Sequence, residues 1–245
     1  MSFEGNEYEK DVDGRGASHF LADYLERWAY SSTGVFSKED TAYLANNTSL
    51  KIIGPEFYQT ARVAPNWLKY YGLCLQKGSY KVRLHFAEIM FTNDQTFSSL
   101  GKRIFDVSIQ VSEGPILIIT VQFAVWNLDS WGLLEKLSTI NPNIWSINLT
   151  FLQGNVVLKD FNIMEEAKGA GKGIYKDFDD VLVNGSTLEI HLYWSGKGTK
   201  SIPVRGVYGP LISAIAVTPS EIIPYSGFST FPATTLSWWY ILLSL

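Results

Sequence analysis

Cysteine is almost missing from this 245-residue chain: Cys74 stands alone. No disulfide can therefore close within it, and the redox state of its compartment cannot be read from bridges. Histidine is nearly as scarce. His19, His85 and His191 are too scattered for a metal-ligand pattern and no His-Glu-x-x-His stretch occurs, so neither a metal nor another cofactor is expected. Charged residues make up only 18% of the chain and leave a net charge of −4. That balance gives no electrostatic basis for nucleic acid or anionic lipid as a partner. Long apolar runs are lacking too. The longest, 116–128 and 238–245, fall short of the roughly 20 residues that cross a bilayer, so no membrane insertion by this chain is expected. The opening Met1-Ser2-Phe3-Glu4-Gly5 has neither a basic nor an apolar leader segment, and no signal peptide is expected.

Enzyme signatures are equally thin. Neither Gly-x-Ser-x-Gly nor a protein-kinase motif is present, and no catalytic activity is expected. Ser99-Leu100-Gly101-Lys102 fits Ser-x-x-Lys, a pattern short enough to arise by chance. Gly169-Ala170-Gly171-Lys172-Gly173 lacks the spacing and the following hydroxyl of a phosphate loop, and reads as a mobile surface loop.

What the chain does have is apolar and aromatic side chains, 46% and 14% of its residues. Aromatics serve both pleated cores and sugar-stacking platforms, so the excess alone does not choose between them. Residues 80–86, 103–109 and 187–193 alternate apolar and polar with a period of two. Asn184-Gly185 reads as a hairpin turn, since both residues tolerate positive φ. Short strands, frequent turns and little helical periodicity predict an all-β sandwich or jelly roll. Trp28 and Trp194 are read as core.

Several runs resemble the malectin domain of plant leucine-rich-repeat receptor-like serine/threonine kinases. They are Asp13-Gly14-Arg15-Gly16-Ala17-Ser18-His19-Phe20, Arg27-Trp28-Ala29-Tyr30 and the stretch following it to Gly34, and Tyr58-Gln59-Thr60-Ala61-Arg62. Tyr70-Tyr71-Gly72-Leu73-Cys74-Leu75, His85-Phe86-Ala87-Glu88-Ile89 and residues 101–107, 159–163 and 205–211 continue the likeness in order. The resemblance implies a jelly-roll-like β-sandwich of the galactose-binding (malectin) type, acting as a non-catalytic carbohydrate-binding module. It further implies the extracellular face of the plasma membrane, in a parent receptor whose signal peptide, repeats, transmembrane helix and kinase are outside this chain. The implied partners are a glycan or glycoprotein ligand and a co-receptor ectodomain. A protein-docking module without sugar binding, and a glycoside hydrolase with two carboxylates across one cleft, are the alternatives.

The likeness divides the chain. Residues 1–110 and 154–219 form the two parts of one malectin-like domain, 111–153 interrupts it, and 220–245 is an apolar tail outside the family pattern. The interruption carries four charges, Glu113, Asp129, Glu135 and Lys136. Its ends, Val111-Ser112 and Leu152-Gln153, can be encoded by splice-donor and splice-acceptor sequences, and it reads as a translated intron.

By motif, the resemblance also implies a cleft lined by aromatic rings and an aspartate. Tyr30 and Tyr58 match two tyrosines, and Phe91 matches an aromatic residue after the Phe-Ala-Glu strand. Met90 stands where a tyrosine is expected and Gly209 where the aspartate is expected; Glu88 joins the candidate ligand-binding set. Ordinary sandwich packing is the competing reading for Tyr30, Tyr58 and Phe91, and a structural role for Glu88. Arg62 and Asp106 read either as an ion pair or as polar groups of the cleft. Asn46, Asn47, Asn148 and Asn184 begin Asn-x-Ser/Thr triplets; the first two and Asn184 are candidate glycosylation sites.

Overall fold

The computed structural model describes residues 2–4, 6–11, 19–23, 27–36, 43–46, 50–92, 101–110, 155–199, 208–220 and 240–242. Period-two alternation builds its strands. In β8 (Trp67–Gly72), Leu68, Tyr70 and Gly72 are buried while Trp67, Lys69 and Tyr71 are partly exposed. β13 (Leu188–Tyr193) repeats this, with Leu188, Ile190 and Leu192 inside. Successive side chains leave a strand on opposite faces, so each strand offers one face to the core.

Among the described residues the larger sheet has six strands, in the order β11 (Asn155–Phe161), β10 (Phe105–Ile109), β13, β8, β5 (Trp28–Thr33) and β4 (Phe20–Ala22). A second, five-stranded sheet runs β12 (Gly173–Val183), β9 (Gly78–Ala87), β15 (Ala214–Pro219), β16 (Tyr240–Leu242) and β3 (Glu9–Lys10). A third comprises β14 (Leu211–Ile212), β7 (Thr60–Val63) and β6 (Leu44–Asn46). All pairings within these three sheets are antiparallel except β16 with β3.

The two large sheets meet face to face. Phe86 on β9 lies 4.9 Å from Phe161 and 6.0 Å from Phe105, ring centre to ring centre. Val82, Leu84, Ile215 and Val217 of one sheet and Leu68, Ile190 and Leu192 of the other are fully buried in the same core. Each such side chain contributes about 1.5–3 kcal/mol. The expected all-β sandwich is therefore present, and Trp28 is in its core. Trp194 is only partly buried, its indole nitrogen donating to the Lys197 carbonyl.

Two local expectations need correction. Asn184-Gly185 is not a hairpin turn: β12 before it pairs with β9, whereas β13 after it pairs with β8 and β10. The dipeptide carries the chain from one sheet to the other, and neither residue has positive φ. The glycine-rich 169–173 segment is packed rather than a surface loop. It follows the short helix α1 (Ile163–Ala167), and Gly171 N donates to the Glu88 carbonyl while Ile53 N donates to that of Gly171. In the apolar tail, β16 extends the five-stranded sheet by pairing with β15.

The interrupted region has a simple frame. β10 and β11 are antiparallel neighbours with Ile109 opposite Asn155, so the chain ends flanking 110–154 lie side by side. Gln110 has a φ of 56°. The insertion 111–153 itself lies outside the described residues, as do Asn47 and Asn148.

Candidate functional site

The rings matched to a sugar cleft are sealed inside the protein. Tyr30, Tyr58 and Phe91 are each 2% exposed, so they do not line an open rim. Each ring is held by a protein group in the place a ligand was expected. Tyr30 sits under the guanidinium of Arg62, 3.9 Å from its ring centre. Arg62 is in turn paired with Asp11 through Nε and Nη2, both at 2.7 Å. The expected Arg62–Asp106 pair does not form; Asp106 instead accepts from the Asp160 amide at 2.7 Å, across the β10–β11 ladder.

Tyr58 belongs to a buried aromatic cluster around His85. Its hydroxyl donates to the Ile174 carbonyl at 3.1 Å and lies 2.8 Å from His85 Nδ1. That hydroxyl proton is spent, so Nδ1 must be the donor and Nε2 the acceptor from Tyr8 Oη at 3.0 Å. Phe57 presents its ring edge-on to the imidazole at 5.0 Å. Burial, with the nearby Arg83 charge, lowers the His85 pKa to about 3, and burial raises that of Tyr58. His85 is thus a neutral linchpin.

Glu88 is also structural. It is fully buried and paired with Arg103 Nε at 2.8 Å, and its other oxygen accepts from the Met90 and Phe91 amides at 3.1 and 3.2 Å. Arg103 continues to the Gly209 carbonyl at 2.7 Å and faces the Phe91 ring at 5.2 Å. The carboxylate therefore fixes the turn that tucks Phe91 inside, leaving Met90 packed against the core and only partly buried. Gly209 cannot be replaced by the expected aspartate. Its φ is 84°, and a Cβ there would lie 2.0 Å from the Ala64 carbonyl oxygen.

The outward face of the six-stranded sheet carries polar and aromatic groups, of which Trp67, Lys69, Tyr71, His191 and Tyr193 are partly exposed while Ser31 and Ser108 are buried. Register places Ser108, His191, Lys69, Ser31 and Phe20 in one row across five strands. Tyr193 and Trp67 are cross-strand partners in the next row, and Tyr71 pairs with Glu189 on the other side. Tyr193 and Trp67 flank the His191 ring at 4.9 and 5.8 Å. Lys69 Nζ meets Glu189 at 2.6 Å. Both ring nitrogens of His191 and the hydroxyl of Ser108 are buried without a hydrogen-bond partner. Burial, then the Lys69 charge, lowers the His191 pKa to about 4. None of these residues was singled out from sequence for binding, although the alternation at 187–193 marks which of them point outward.

Among the described residues no group of three or more His, Cys, Asp or Glu side chains could hold a metal ion, and no helix is long and apolar enough to cross a membrane. Asn46 and Asn184 are exposed.

Comparison with known proteins supplies the family. Two probable LRR receptor-like serine/threonine-protein kinases of Arabidopsis thaliana are 49% and 46% identical over 87% and 90% of the chain. The chain spans 17% of the length of each, and their kinase portion lies outside the aligned stretch. Among solved structures, the extracellular domain of ANXUR1 from Arabidopsis thaliana aligns at 12% identity and a TM-score of 0.41, over 71% of this chain and 37% of that one. A solved complex of the plant peptide RALF23 with FER and LLG2 aligns at 18% and 0.42, over 78% and 36%. The model of the malectin domain, a non-catalytic module, matches residues 1–113 and 147–215, most of the chain, leaving 114–146 unmatched between them. The chain belongs to the malectin domain family.

Proposed function

We propose that this malectin domain is a non-covalent recognition module in the ectodomain of a plant receptor-like kinase, displayed at the extracellular face of the plasma membrane, with a glycan or glycoprotein as its ligand. Its kinship with receptor-like kinases at up to 49% identity supports the setting. The observation that carries the ligand class is the outward sheet face, where Trp67, Tyr71 and Tyr193 remain partly exposed beside hydrogen-bonding groups. Sugar C–H patches stack on aromatic faces while hydroxyls take hydrogen bonds. The sealed rings of Tyr30, Tyr58 and Phe91 offer no such platform. A glycoside hydrolase is disfavoured around those rings, because the buried carboxylates there, Asp11 and Glu88, are each locked on an arginine.

A shallow platform of this kind gives roughly micromolar to millimolar affinity, about −8 to −4 kcal/mol. The exposed Asn46 and Asn184 suit N-glycosylation of a secreted face. Glycan-array binding by the folded chain tests the reading. Saturable binding to at least one glycan class is expected; a silent array from correctly folded protein overturns it and leaves docking to a co-receptor ectodomain.

A further inference from the structure

Three orphaned polar atoms on one sheet face need a reason. Ser108 is 1% exposed and its Oγ has no partner; directly opposite, across the β10–β13 ladder, both nitrogens of His191 are likewise unpaired. A buried polar atom left without a hydrogen bond costs about 1–3 kcal/mol, and native folds contain few. Here the orphans are adjacent, and they lie on the outward side of the sheet rather than in the core. They are also flanked by aromatic rings, Trp67 standing edge-on to His191 at 90° and Tyr193 inclined at 39°.

We propose that the outward face of the six-stranded sheet, centred on His191, Ser108, Trp67 and Tyr193, is the saccharide-binding site, and that its ligand is a neutral oligosaccharide lying across the strands. The inference rests on the carbohydrate reading above and adds its place and the charge of its ligand. Chemistry selects a sugar over a peptide strand, because sheet edges, not faces, offer the backbone pairing an extended peptide uses. A serine hydroxyl and a neutral imidazole together offer two donors and three acceptors, a match for the hydroxyls of a pyranose. Trp67 and Tyr193 supply ring surface for its C–H patches. Neutrality follows from the charges present. Lys69 is matched by Glu189 on its own face and His191 is held uncharged by burial, which leaves no free cation among them for an acidic sugar, while the Asp106 carboxylate, which accepts from the Asp160 amide, keeps its negative charge and repels one. The row from Ser108 to Phe20, which is 65% exposed, crosses four strand spacings, roughly 19 Å, enough for several sugar units.

Titration calorimetry of the whole chain with cellohexaose, a mannan hexasaccharide and an oligogalacturonate, beside the glycan array, tests this. Binding to a neutral oligosaccharide is expected, insensitive to salt, weakened at least tenfold by Trp67→Ala and severalfold by Ser108→Ala and His191→Ala. Tyr175→Ala, on the other sheet, is expected to leave it unchanged. Each variant is checked for folding by urea denaturation, and NMR shifts of the His191 ring on titration into the unaltered chain give a readout free of substitution. Binding that survives Trp67→Ala and His191→Ala with an unmoved His191 signal overturns the placement while the glycan reading stands. Binding confined to the oligogalacturonate overturns neutrality, and no glycan binding at all overturns the reading beneath both.

Discussion

Joining Gln110 directly to Gly154, with 111–153 removed, is expected to stabilise the domain. Ile109 and Asn155 are already cross-strand partners, so the shortened chain would turn through two residues, Gln110 and Gly154. Two-residue hairpins favour the type I′ turn, which needs positive φ at both central positions. Gln110 holds a φ of 56°, as the first position requires, and glycine suits the second. Its amide also donates to the Glu189 carbonyl at 2.8 Å, which anchors the turn to β13. Closing a loop costs about 1.5 RT ln n, so reducing roughly 45 residues to two recovers about 2.8 kcal/mol. For a domain of this size that corresponds to roughly 5 to 10 °C in Tm. Urea and thermal denaturation of both chains measure it, with amide hydrogen exchange at Ile109 and Asn155 reporting whether the ladder closes. Changing Gln110→Asn in the short form should add a few tenths of a kcal/mol, because Asn tolerates positive φ better. A short form that is less stable than the full chain, or that loses protection along β10 and β11, refutes the reasoning and makes 111–153 part of the folding unit.

Other outcomes follow from the buried polar groups. Glu88→Ala strands Arg103 without its partner and is expected to cost about 3–5 kcal/mol in urea denaturation, with Glu88→Leu/Arg103→Met recovering much of it. Gly209→Asp is expected to destabilise by more than about 3 kcal/mol, combining strain at positive φ with a clash on Ala64, and to create no sugar affinity by calorimetry. Acid should weaken the fold. His85 and His191 have folded-state pKa values near 3 and 4 against 6.5 when unfolded, so the unfolded chain binds more protons below pH 6.5. Stability is expected to be level above that and to drop by about 2 kcal/mol per histidine on going to pH 5, an order-of-magnitude figure. His85→Asn should flatten the urea-midpoint profile between pH 5 and 6.5.

Strands were legible wherever one face is wet. The alternations at 80–86 and 187–193 became β9 and β13 because period-two patterning reports burial directly, and that at 103–109 became β10, although both faces of that strand are buried. Sheet membership was not legible. Asn184-Gly185 carries hairpin chemistry, yet the strands it joins lie in different sheets, a choice made by long-range pairing. The actual β10–β11 hairpin was hidden by the residues inserted at its tip. Site residues failed for a related reason. A tyrosine that stacks on sugar and one that packs under an arginine look alike in sequence, and Arg62 reaches Tyr30 only because Asp11, far away in the chain, neutralises it. Glu88, by contrast, was readable as structural once it sat at the end of an apolar strand.

What pulls the cleft rings inward is the missing bulk beneath them. A Cβ on Gly173 would lie 2.2 Å from the Tyr58 ring, and one on Gly101 would lie 2.3 Å from that of Phe91. Those glycines leave hollows that the two rings fill, and close packing penalises any ring that withdraws and leaves the hollow empty. The hydroxyl of Tyr58 is then satisfied by Ile174 and His85, and the face of Phe91 by Arg103. A sugar competing for either ring would have to offset the cavity together with the lost hydrogen bonds of Tyr58 or the lost Arg103 contact of Phe91. The outward sheet face presents the opposite balance, since His191 and Ser108 have nothing to surrender and hydrogen bonds to gain. On the proposed reading, recognition by this domain falls where polar groups remain unsatisfied and not where aromatic rings are most numerous.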